Sequence, residues 1–68
     1  MEHLATFFGE HGNRCAVVAV LMCAIANPVF VVDFFETDGI QKLTKFFDNQ
    51  PDAEEAGMLY AFEGKLDE

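Results

Sequence analysis

Serine and tryptophan are absent from this 68-residue chain, basic residues number only four, and the two cysteines stand far apart. Each scarcity removes a class of function. Without serine there is no serine nucleophile. Arg14, Lys42, Lys45 and Lys65 are scattered and build no basic stripe, which excludes nucleic acid as a direct ligand. Cys15 and Cys23, eight residues apart on one helix, would be separated by about 12 Å at about 1.5 Å per residue. A disulfide bridges at most ~7 Å between Cα atoms. Two free thiols in an apolar stretch fit a reducing, intracellular setting, cytoplasmic or nuclear, and burial there blunts their reactivity. His11 with Cys15, joined by His3, is a candidate ligand set, but it lacks the Cys-x2-Cys pairing of zinc sites, so loop histidines are expected. Asp33, Glu36 and Asp38 lack the spacing of a calcium loop, and Gly9-xx-Gly12 lacks the lysine and preceding strand of a phosphate loop. No catalytic constellation and no cofactor or metal site emerges, so a non-enzymatic role is expected.

What is present is apolar bulk and negative charge. Hydrophobic residues make up 51% of the chain, and the net charge is −8. Most of the acidic residues lie from Asp33 onward, behind an apolar first half. That polarity reads as a solvated surface or, more sharply, as a face that attracts a basic protein partner. A chain of this size forms one domain with a thin core.

The spacing of apolar residues predicts five short helices. Leu4, Phe7 and Phe8 sit at i, i+3, i+4, the spacing of one helix face. Gly9 to Asn13 breaks the pattern, with Asn13 as a candidate N-cap. Arg14 to Ala26 is apolar all round after the arginine, as in a buried helix. Asn27-Pro28 reads as an N-cap followed by a first helical residue, opening a helix from Pro28 to Glu36. The run Val29-Phe30-Val31-Val32 is equally compatible with a short strand, because β-branched residues favour strands. Asp38 with Gln41 suggests a capping box ahead of Ile40, Leu43, Phe46 and Phe47. Pro51 opens a last helix to Leu66, with Met58, Leu59, Phe62 and Leu66 as its apolar side. Residues 15–32 also have the length of a single membrane span, the alternative reading. The Asn27-Pro28 pair divides that run, and its flanks lack tryptophan and clustered cations. No basic leader precedes the run, so a signal peptide fits badly.

Leu4-Ala5-Thr6-Phe7-Phe8 returns as Leu43-Thr44-Lys45-Phe46-Phe47, 39 residues later. A period near 40 marks stacked helical repeats. The stretch from Phe30 to Phe47, with its Asp38-Gly39 turn, Ile40, Leu43 and the Phe46-Phe47 pair, resembles the armadillo repeat. The resemblance implies an all-α, armadillo-like α-solenoid segment spanning 1–68, with a partial repeat at 3–26 and a full one at 28–66. In peptide-binding members the third helices line a concave groove with a tryptophan and an asparagine. Tyr60 falls at the tryptophan place and Gly64 at the asparagine place; Val20 and Ala24 hold them in the first copy. The resemblance thus implies partner contacts at Tyr60, Val20 and Ala24 without the peptide-clamping ladder. The expected function is a protein–protein interaction or scaffold module, part of a longer repeat protein. Standing alone, it would self-associate through the exposed ends of its stack.

Overall fold

Val17, Val18 and Val20, and then Val29, Val31 and Val32, place β-branched side chains at close intervals in the first half of the chain. Such residues suit a pleated surface better than a helix, and the chain folds accordingly. The computed structural model describes residues 2–9, 14–23, 26–36 and 40–65. It has four strands, β1 (Glu2–Phe8), β2 (Cys15–Cys23), β3 (Ala26–Phe35) and β4 (Gln41–Phe47), followed by one helix, α1 (Gln50–Glu63). The strands form an antiparallel meander in the order β1-β2-β3-β4.

This architecture overturns the all-α expectation. Where helices were expected at 3–8, 14–26, 28–36 and 40–47, the described residues form β1, β2, β3 and β4, and the armadillo-like solenoid, with its repeats at 3–26 and 28–66, does not form. The twin strings Leu4–Phe8 and Leu43–Phe47 are instead the two edge strands of one sheet. The run 15–32 is β2 and most of β3, two antiparallel strands, and no described helix is long and apolar enough to cross a membrane. Asn27-Pro28 is not a helix start. It sits where the β2–β3 register shifts between Leu21 and Cys23, an irregularity that tolerates proline's missing N–H. The expected caps at Asn13 and Asp38 lie outside the described residues.

The helix expected after Pro51 does form. Asn49 is its N-cap, the side-chain Oδ1 accepting from Asp52 N–H at 2.9 Å, and Asp52 adds a negative charge to the first turn. At the other end Gly64 takes φ 71°, and its N–H donates to Tyr60 O at 2.9 Å. The buried side of α1 differs from the expected one. Ala53, Gly57, Tyr60 and Ala61 face the sheet, while Met58 and Phe62 are exposed. Small residues win that position because the sheet supplies the bulk. A Cβ at Gly57 would already meet Phe7 Cδ2 at 3.2 Å and Ala16 Cβ at 3.4 Å.

The core lies between α1 and one sheet face. Ala16 and Val18 of β2, Val32 and Phe34 of β3, and Ala53 and Tyr60 of α1 are its buried members. Leu4, Ala5, Phe7, Phe30, Leu43 and Phe47 close it from the sheet side.

A candidate interaction face on the open side of the sheet

Side chains alternate across a strand, so the residues that do not meet α1 share the opposite face. Pairing across the sheet arranges them in rows. Phe8, Cys15, Phe35 and Gln41 form one row; Thr6, Val17, Asp33 and Thr44 the next; His3, Ala19, Val31 and Phe46 the third. Leu21 and Val29 extend the face where β2 and β3 run beyond the outer strands. Most of these fourteen residues are apolar, although no described element packs over them. Phe8 and Phe46, at diagonally opposite corners, are 65% and 66% exposed. In the row of Phe46, Ala19 and Val31 are only 5% and 2% exposed, yet they lie outside the core cluster. The face is thus a tight apolar floor with two prominent aromatic side chains.

A polar group stands in the middle row. Thr44 Oγ1 donates to Asp33 Oδ1 at 2.7 Å, and Gln41 Nε2 donates to the same oxygen at 3.0 Å. Gln41 Nε2 also contacts Thr44 Oγ1. Both bonds to the carboxylate fall on Oδ1. On β1, His3 Nε2 and Thr6 Oγ1 are 2.7 Å apart on the same face. Partial burial beside Phe8 and Phe35 pushes the Cys15 thiol above its ordinary value, because desolvation penalises the thiolate. Cys15 is a free thiol.

The described cations are directed elsewhere. Arg14 Nε donates to Tyr60 O at 3.0 Å, setting its guanidinium against the C-terminal end of α1, where the helix dipole favours positive charge. Lys45 pairs with Val32 and so belongs to the α1 side. Lys65 lies 3.5 Å from Glu63. Among the described side chains, therefore, the open face holds a carboxylate and no cation.

A cleft of about 640 Å³ lies between α1 and β4. Phe34, Phe47 and Leu59 form its floor, and Lys45, Lys65, Asp52 and Glu55 its rim. Charges of both signs stand together on that rim, so it selects no charge class of ligand. Among the described residues no group of three His, Cys, Asp or Glu could hold a metal ion.

The residues anticipated as partner contacts lie apart from the open face. Tyr60 is 3% exposed; its OH donates to Phe35 O at 3.1 Å and its ring meets Phe34 edge-on at 5.0 Å. Val20 is buried, paired with Phe30 on the α1 side. Ala24 and His11 lie outside the described residues. The concave groove that would have gathered Tyr60, Val20 and Ala24 requires third helices, and β2 stands where the first would be.

Phe8, Phe46 and Asp33 were not anticipated as site residues. The twin Phe-Phe strings carried a signal that a strand reading decodes: adjacent residues point to opposite faces. Phe7 and Phe47 therefore enter the core while Phe8 and Phe46 emerge on the open side. Asp33 interrupts an otherwise apolar run from Pro28 to Phe35. Compared with known protein families, with characterised proteins and with solved structures, the chain matches none.

Proposed function

We propose that the chain is a non-enzymatic protein-interaction or scaffold module whose working surface is the open face of the sheet. The observation that carries this reading is the pair Phe8 and Phe46, about two-thirds exposed at opposite corners of the open face. Two such rings alone present roughly 200–300 Å² of apolar surface. Exposed aromatic rings are the side chains that most often anchor partners, and here they stand on an otherwise acidic chain. The partner is a protein rather than a nucleic acid, since phosphate backbones are repelled by a net charge of −8. The free, partly buried Cys15 thiol suits an intracellular, reducing setting.

A photo-reactive benzophenone side chain tests the reading when installed at position 46 and, separately, at position 55 on α1. Irradiation in the cells that make the protein is expected to give discrete protein adducts from position 46 and none from position 55. Adducts from position 55 alone, or from neither, would refute the open face as the working surface.

A further inference from the structure

Resting on that reading, we infer that the partner presents a lysine or arginine flanked by apolar side chains, with the cation directed at Asp33. Asp33 occupies the middle row of the open face, on an inner strand, with Val17 beside it and Thr44 beyond. Its Oδ1 takes both described hydrogen bonds, from Thr44 and Gln41. An apolar partner lying over this face would strip water from the carboxylate, and a buried charge must be paired. Among the described side chains the chain supplies no cation there: Arg14 is held at the end of α1, Lys45 lies on the other face, and Lys65 is beside Glu63. A lysine or arginine on the partner would supply the pairing charge.

The same carboxylate argues against a second copy as the occupant. At a strand spacing of about 4.8 Å, Asp33 stands roughly half a spacing from the centre of the four-stranded face. A two-fold axis through that centre would set two Asp33 carboxylates against each other. Pairing at the sheet edges is also discouraged. The β1–β2 register shifts between His3 and Ala5, and the β3–β4 register shifts between Phe34 and Phe35; such bulges blunt edge strands. An anionic lipid surface is repelled by the net charge of −8. What remains is a basic, apolar segment. It would lay apolar side chains against Phe8 and Phe46 and bring one cation to Asp33.

Selection from a displayed library of random peptides provides the test, using the full chain and its Asp33→Asn and Phe46→Asp variants. Peptides enriched on the wild-type chain are expected to carry Lys or Arg beside Val, Leu or Phe. They should bind Asp33→Asn at least ten-fold more weakly and lose affinity as salt rises. Thermal melts of the variants confirm that each remains folded. Apolar peptides without a basic residue, lost on Phe46→Asp but kept on Asp33→Asn, would overturn the cation inference and leave the interaction face standing. Peptides insensitive to both substitutions, or no enrichment at all, would overturn both. Dimerisation of the wild-type chain that Phe46→Asp abolishes would name a second copy as the occupant and overturn the inference.

Discussion

Individual residues set both the ends of α1 and the chemistry of the open face. Gly64 adopts φ 71°, a left-handed conformation that costs other residues about 1–2 kcal/mol. A Cβ there would also lie 3.2 Å from Arg14 Cζ. Gly64→Ala is therefore expected to lower stability by about 1–2 kcal/mol, read as a lower urea midpoint with unchanged slope. An unchanged midpoint would contradict the assigned cap. Cys15 supplies a second prediction. Its thiol pKa is raised by burial, so the thiolate fraction at pH 8 is below that of a model thiol, and alkylation should be slower in the native chain than in urea. The sign for stability follows. A raised folded-state pKa contributes stability that is present below the thiol's ordinary value, 9.0, and lost as pH rises through the higher folded value.

At the scale of elements, α1 was readable in the sequence, while of the strands only the Val29–Val32 part of β3 left a trace, as the alternative its β-branched residues offered. Asn49, Pro51 and Asp52 are local helix-start signals whose effect needs no tertiary partner. The strands hid behind two irregularities. In β1 the register shift between His3 and Ala5 makes Leu4 an additional residue, so Leu4 and Phe7 both reach the core although an odd number of positions separates them. That bulge reproduces helical spacing inside a strand. In β2 both faces are apolar, one for the core and one for the open side, so the alternation that identifies a half-exposed strand is missing. The buried stripe of α1 was misjudged because it is built from Ala53, Gly57 and Ala61 rather than from large residues. Its tightness gives a third prediction. Gly57→Leu, forced against Phe7, Ala16 and Val18, should destabilise by about 1–3 kcal/mol or more, seen as a lower melting temperature. A neutral result would mean that the helix does not approach the sheet at this point.

For the molecule as a whole, α1 covers one face of the sheet and leaves the other, the proposed working surface, without a described element over it. The principal extents, 40 × 19 × 18 Å, describe an elongated body. Two Asp33 carboxylates brought to ~5 Å at an effective dielectric near 20 would repel by about 3 kcal/mol, reduced where solvent still reaches them. Repulsion of that order offsets much of what an apolar patch of a few hundred Å² contributes, which favours a basic partner over a second copy. Phe46 is two-thirds exposed, so Phe46→Asp is expected to change stability by no more than about 1 kcal/mol while weakening partner binding at least ten-fold. Equal losses of melting temperature and binding would show that Phe46 acts in folding instead.

The most direct measurement is a backbone amide chemical-shift map of the isotope-labelled chain as a basic, apolar peptide selected on it is added. The account predicts shifts concentrated at Phe8, Val17, Val31, Asp33, Thr44 and Phe46, with α1 little changed. Shifts centred on Leu59, Lys65 and the rest of the α1–β4 cleft would contradict it.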